Sequence, residues 1–250
     1  MFLRSRDLTP EYFDSPERTS AEVAEHYEWL GRMNKLTQFD RPFRVWIPQI
    51  LGAEACKRLS IVDLGAGNGM LGQTLTEFAR GHGWDWRFTN VDLNLPEPGS
   101  EGSTSGTWVK ASVTNLPFAT NSFDLAIATT MTHHLNSDAD VSAHFREARR
   151  VACQAVLICD MVRSPFFLAA LWVVLVALRV PKEFRRDGVQ SVKRGWRESE
   201  WRRLAASAGL NGARVWSEHG TRILLAHHLK GGIGEQTDTT GTNGPRPLAV

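Results

Sequence analysis

The chain has 250 residues, 42% of them hydrophobic, which is enough for one sizeable core with additions. Its net charge of +2 is too balanced to argue for a nucleic-acid partner. The three cysteines, Cys56, Cys153 and Cys159, form no C-x-x-C and no disulfide framework, which suits a cytoplasmic, reducing compartment. The opening MFLRSRDLTPEYF lacks the apolar run of a signal peptide.

Residues 1–58 read as helical. Ser15-Pro16-Glu17 has the form of an N-cap followed by proline at the first helical position. Val23, Tyr27, Leu30 and Asn34 share a face, with Ala24 and Met33 beside it, and Pro42 and Pro48 are expected to break the chain after this helix. From Leu59 the texture changes. LSIVDL is a short apolar run ending in glycines, which predicts a buried parallel strand. A helix comes next, with Leu71, Leu75 and Phe78 at helical spacing and Gly81 as its stop. RFTNVDL (87–93), TWVKASV (107–113), FDLAIATT (123–130) and AVLICDMV (155–162) predict four more strands. Residues 97–106 are a loop by composition, and 139–151 a helix. After an insert, 163–194, come a helix ending at Gly209 and two strands joined tightly at His219-Gly220. The tail 231–250 is rich in Gly and Thr and is expected to be disordered. The alternation predicts an α/β fold, a Rossmann-like and mostly parallel sheet.

The loop in IVDLGAGNGMLG holds two glycine patterns. Gly67, Gly69 and Gly72 spell the dinucleotide fingerprint G-x-G-x-x-G, which alone is weak. Gly65, Gly67 and Gly69 follow Asp63, and the apolar run ends at Leu64, so Gly65 is the better first turn residue. A pyrophosphate suits bare amides at a helix N-terminus. S-adenosylmethionine instead carries an amino group and a sulfonium, for which a nearby acid is useful. Asp92, ending the second strand, can accept the ribose hydroxyls of an adenosine.

VDLGAGNG, NVDLN, LPFATNSFDLAIATTMTHHL and EWRRLAASAGL, in this order and spacing, resemble the class I S-adenosylmethionine-dependent methyltransferases, and most of all the methyltransferase type 11 group. The resemblance covers roughly residues 59–228. It implies a seven-stranded sheet whose last strand is antiparallel, with S-adenosyl-L-methionine as cofactor. It implies a cofactor set of Asp63, Gly65, Gly67 and Gly69 at the methionine end, Asp92 and Leu93 at the ribose, Ser112 and Val113 at the adenine, and Thr129. Here the sequence departs from the pattern: Ser112 stands where an acid usually accepts the adenine amino group, and its hydroxyl accepts uncharged.

His133-His134, after the fourth strand at the ligand edge of the sheet, is the candidate general base, with pocket shaping as the alternative. Asp160 on the same edge is a lesser candidate, and His227-His228 in the last strand are read as structural. No metal is expected, because the histidine pairs lack a third ligand at a familiar spacing. ATTMTHH in place of [DN]-P-P-[YF] speaks against DNA N-methylation. The run FFLAALWVVLVAL (166–178) has no polar residue and is too short to span a membrane, which takes roughly 20 residues. It is either a core helix or a lid over an oily pocket, with the basic flank Arg179, Lys182, Arg185 and Arg186 near lipid headgroups. The expected organisation is an N-terminal helical lid (1–58), a methyltransferase domain (59–230) with the insert (163–194), and the tail (231–250). The expected activity is O- or C-methylation of a small hydrophobic acceptor by a cytoplasmic enzyme, with peripheral membrane contact through 163–186. An NAD(P)-dependent oxidoreductase and a non-catalytic methyltransferase-like partner protein are the alternatives.

Overall fold

Leu59, Ile61, Val62 and Leu64 are all buried in the first strand, β1 (Arg58–Leu64), as a parallel strand covered on both faces requires. The computed structural model of the protein describes residues 3–15, 17–96 and 106–229. The tail 231–250 and most of the 97–106 loop lie outside the described residues. β1 is followed by β2 (Asp85–Asp92), β3 (Thr107–Lys110), β4 (Phe123–Thr129), β5 (Ala152–Met161), β6 (Arg214–Glu218) and β7 (Arg222–His228). They form one sheet in the order β3-β2-β1-β4-β5-β7-β6. The first five strands are parallel, and β7 runs antiparallel to both β5 and β6. Successive strands move outward in opposite directions from β1 and β4, so the carboxyl ends of these two strands flank the switch point where such sheets bind ligands. The β6–β7 hairpin turns through residues 219–221, with His219 and Gly220 both at positive φ (50° and 66°). The third strand is shorter than TWVKASV: it stops at Lys110, and Ser112 turns back to bridge Asn115.

Two hydrophobic layers clamp the sheet. On one face α4 (Asp138–Val151) buries Val141, Phe145, Ala148 and Val151, which pack with Trp196 and with Trp201 and Leu204 of α7 (Glu198–Ser207). On the other, Phe43, Trp46 and Ile47 of α2 (Arg41–Leu51) meet Leu71, Leu75 and Ala79 of α3 (Met70–Gly81).

Three local expectations need correction. Helix α1 (Ser20–Thr37) is capped by Thr19, not Ser15. Thr19 Oγ1 accepts the Glu22 N–H at 3.3 Å while the Glu22 carboxylate takes the Thr19 N–H at 2.9 Å, a reciprocal box that a lone Ser-Pro cannot match. Pro42 and Pro48 do not break the chain; both lie within α2. Pro42 sits in the first turn, where the N–H has no helical partner, and Pro48 costs one bond near the end of a helix held by its buried face. The apolar run is not a core helix. It forms α5 (Pro165–Ala177), in which Leu175 is the one buried residue.

The insert closes with α6 (Lys182–Arg194), which buries Asp187, Gln190, Ser191 and Arg194 alongside Phe184 and Val192. That face holds the N-terminal strap, residues 3–15. Asp187 accepts the N–H groups of Tyr12 (2.6 Å) and Phe13 (3.0 Å), Gln190 donates to the carbonyls of Asp7 and Thr9, and Ser191 donates to Glu11 at 2.8 Å.

Candidate active site

The end of β1 makes a cradle out of backbone. The N–H groups of Gly65 and Ala66 both donate to the Val91 carbonyl, at 2.8 and 3.0 Å, which ties the loop to β2. Gly65 has φ of 75°, and a Cβ there would collide with the Met131 side chain, so no other residue fits. Asp92 closes the loop from the side: Oδ2 accepts the Gly67 N–H at 2.9 Å and Oδ1 the Asn94 N–H at 3.0 Å. A carboxylate has about four acceptor sites, so capacity remains for hydroxyl donors.

Asp63 is the anomaly of the site. It is 1% exposed, and neither carboxylate oxygen has a hydrogen-bond partner. Burial, and then the Asp92 charge, push its pKa up to about 7. A buried acid with two unused acceptors at the switch point is what a cationic ligand group would satisfy. The methionine ammonium of S-adenosylmethionine has that charge, so the residues fit this cofactor. Around them, Leu93 is exposed beside Asp92, Val113 is buried, and Thr129 ends β4. The Ser112 hydroxyl is engaged locally, 2.8 Å from Thr114 Oγ1 and accepting the Thr114 N–H. Helix α1 passes over the loop: Gly31 and Asn34 lie against Met70, and burial together with the Asp92 charge raises the Tyr27 pKa. Gly72, the last glycine of the dinucleotide pattern, lies inside α3, where a Cβ would press on Phe88 and Asn90. Its role is packing.

The second half of the site is a 3-10 turn, Thr132–His134, after β4. His133 is buried, 2% exposed. Its Nδ1 lies 2.7 Å from Asp160 Oδ1 and its own N–H donates to Asp160 Oδ2 at 2.8 Å. Its Nε2 faces Glu11 Oε1 at 3.5 Å. Burial alone would lower the His133 pKa, but the charges of and hydrogen bonds to Asp160 and Glu11 outweigh it and raise it to about 10. Burial likewise favours neutral acids, yet His133 holds Asp160 and Glu11 below the usual carboxylate range. The two carboxylates thus favour the imidazolium form of His133. His134 differs: its side chain is 37% exposed, and Nδ1 lies 3.1 Å from Asp14 Oδ1. Two arginines hold the turn by its carbonyls. Arg6 donates to those of His133 and Leu135 at 2.8 and 2.9 Å, and Arg194 to those of His133 and His134 at 3.1 and 3.0 Å.

The structure thus brings Asp63, Gly65, Gly67 and Asp92 together and sets His133, His134 and Asp160 on the neighbouring edge. Glu11, Asp14, Arg6 and Arg194 were missed by sequence reasoning, since nothing local marks them: the Arg194–Asp14 bond joins residues 180 apart. Glu11 also supplies the third metal-type group that the histidine spacing lacks, with Glu11, His133 and His134 offering ligand atoms within 4.8 Å of one another. Beside this cluster Arg194 pairs with Asp14 at 3.0 Å.

Residues 62–158 match the family described as "Methyltransferase domain". The solved plantazolicin methyltransferase BpumL, in complex with S-adenosylhomocysteine, is 10% identical with a TM-score of 0.62, over 86% of this chain and 91% of its own. The plantazolicin methyltransferase BamL, in complex with a triazolic desmethylPZN analogue and S-adenosylhomocysteine, is 9% identical with a TM-score of 0.60, over 87% and 93%. A candidate O-methyltransferase of Nostoc punctiforme PCC 73102 is 13% identical with a TM-score of 0.52; the match takes in 77% of this chain and only 57% of that protein's length. No curated protein matches the chain in sequence. The family match replaces the oxidoreductase alternative, in line with the register set by Gly65 and the packing role of Gly72. Over residues 62–158 the chain matches a methyltransferase domain, and its seven-stranded sheet has the Rossmann-like fold of the S-adenosyl-L-methionine-dependent methyltransferases.

Proposed function

We propose that this chain transfers the methyl group of S-adenosyl-L-methionine to an oxygen or carbon of a small hydrophobic acceptor, such as a polyketide, quinone or phenolic lipid. The observation that carries the proposal is Asp63, a buried acid with both oxygens unpartnered at the switch point. The cofactor supplies an already activated methyl group on a sulfonium, so the protein's task is to align the acceptor and remove a proton. Asp63 would accept the cofactor ammonium beside the Gly65–Gly69 loop. Asp92 and Leu93 would face the ribose, Ser112 and Val113 the adenine, and Thr129 the reacting end.

His134 is the proposed base. Asp14 orients its Nδ1 and leaves Nε2 to take the acceptor proton. His133, kept charged by Asp160 and Glu11, holds the turn in place. Residues 1–58 act as a lid, because the strap closes over the histidine turn and α1 over the glycine loop. A cytoplasmic enzyme that touches a membrane through residues 163–186 would meet such acceptors at the bilayer surface. The Ser112 hydroxyl, already engaged with Thr114, favours one rival, a methyltransferase-like partner protein without activity.

The test is transfer of tritium from labelled S-adenosylmethionine into a lipid extract of the source organism. Organic-soluble label that disappears with His134→Ala supports the proposal. Tight S-adenosylhomocysteine binding with no labelled product in any extract favours the rival.

A further inference from the structure

Most strands and long helices among the described residues bury an apolar side; α5 buries Leu175 alone. Its sequence, PFFLAALWVVLVA, contains no charged or hydrogen-bonding residue apart from the Trp172 ring. Yet Phe166 is 87% exposed, Val173 64% and Trp172 50%, with Val174, Val176 and Leu178 exposed as well. On its inner side Leu171 and Leu175 pack with Trp29, Leu30, Met33, Val180 and Phe184, and Phe167 and Leu168 are half-buried. A helix apolar on all sides is ordinarily enclosed by protein or lipid. The tail beyond Leu229 is a poor cover by composition, since its large apolar residues are Ile233, Leu248 and Val250. No helix among the described residues is long and apolar enough to cross a membrane, and thirteen residues rise only about 20 Å against a core of about 30 Å.

Charge distinguishes the remaining occupants. The apolar helix leads directly into Arg179, Lys182, Arg185 and Arg186, with Glu183 the one acid among them. Arg179, Lys182 and Arg186 are exposed, and the Arg185 guanidinium lies 5.7 Å over the Trp172 ring. Near the start of α5 a cavity of about 910 Å³ is lined by Leu168, Ala169 and Trp172 together with Arg4 and Arg197. Cations therefore stand at both ends of the apolar surface. A second copy docked through this face would bring like charges together, whereas anionic headgroups would neutralise them.

We propose that α5 lies in the headgroup–acyl boundary of an anionic bilayer, with Phe166, Trp172, Val173 and Val176 inserted and Arg179, Lys182 and Arg186 on lipid phosphates. Apolar insertion plus a basic patch gives the two signals that stable peripheral binding takes. The proposal deepens the membrane contact included in the proposed function but does not depend on methyl transfer: a chain that floats with vesicles but transfers no methyl group would uphold the first and refute the second.

The experiment is flotation of the full-length chain with vesicles of phosphatidylcholine alone and of equal parts phosphatidylcholine and phosphatidylglycerol, with sedimentation velocity in parallel. The expected result is binding to the mixed vesicles, weakened by salt and by about fivefold for each of Arg179→Gln, Lys182→Gln and Arg186→Gln. Val173→Asp, an exposed change that leaves the core untouched, should reduce binding to the level of phosphatidylcholine alone. Failure to float with either vesicle would overturn the proposal, as would flotation indifferent to all four substitutions. A dimer that Val173→Asp dissociates, without vesicle binding, would assign the face to a second copy instead.

Discussion

The two halves of the site are built by different means. The proposed cofactor half is a backbone cradle: Gly65 and Ala66 hang from the Val91 carbonyl, and Gly67 from Asp92, all on the neighbouring strands β1 and β2 and the loop between β1 and α3. The proposed acceptor half is an assembly of charges from distant segments, with Glu11 and Asp14 on the strap, His133 and His134 on the turn, Asp160 on β5 and Arg194 on α6. The first is fixed once β1 and β2 pair. The second exists only when the strap is docked, and each of its buried ions depends on a partner to offset desolvation. Substitutions should therefore separate the halves, with cofactor affinity following one set of residues and turnover the other.

The largest expected effect is on turnover. His134→Ala should lower kcat by about 10²–10⁴-fold, the usual worth of a general base, with S-adenosylhomocysteine affinity unchanged. Retained turnover would move the base elsewhere and dissolve the distinction between His134 and His133. Next comes the buried pair. Asp160→Asn takes from buried His133 its nearer carboxylate, at 2.7 Å, and should cost about 3–5 kcal/mol of stability, read as a fall in Tm of about 10 °C. A change under about a degree would mean the turn is held by Arg6 and Arg194 alone. Smaller still, Asp92→Ala removes a charged acceptor from the Gly67 and Asn94 amides and from the ribose. It should weaken S-adenosylhomocysteine binding about 10–100-fold by calorimetry while leaving the strap in place.

The mildest test is pH. Burial and the Asp92 charge raise the folded-state pKa of Asp63 from 3.8 to about 7, so without ligand the folded state holds this proton more tightly than the unfolded chain. Its contribution to stability is then lost as pH rises through that window, and a cationic ligand restores it. S-adenosylhomocysteine should bind more weakly below about pH 7, by roughly tenfold per unit, and its stabilising shift in Tm should grow from about pH 5 to 8. His133 acts in the same direction over a higher window. Its pKa rises from 6.5 to about 10, so its stabilisation is complete below about pH 6.5 and fades as pH climbs toward 10.

The same contrast decides how much was legible in the sequence. The strands, the glycine register, Asp63 and Asp92 could be read because apolar runs and positive-φ turns are local signals, and β1 and β2 are neighbours in chain and sheet. His133 and His134 could be located but not told apart, since their difference is made by Asp160, Glu11 and Asp14, and the last two lie in a segment that reads only as part of a helical N-terminal region. Even the start of α1 was misplaced by about a turn, because a capping box at Thr19 and Glu22 outweighed a Ser-Pro signal. The apolar run of α5 was visible, but whether it is buried depends on what packs against it, which periodicity does not carry.

Central to the account is the claim that Asp63 and the Gly65–Gly69 loop receive a cationic, phosphate-free adenosine cofactor. Calorimetric titration at about pH 8 of the native chain and of Asp63→Asn, with S-adenosylhomocysteine and separately with NADH, tests it directly. The account predicts S-adenosylhomocysteine binding to the native chain, roughly tenfold or more weaker binding to Asp63→Asn, and no binding of NADH to either. Tight NADH binding without S-adenosylhomocysteine binding would contradict it.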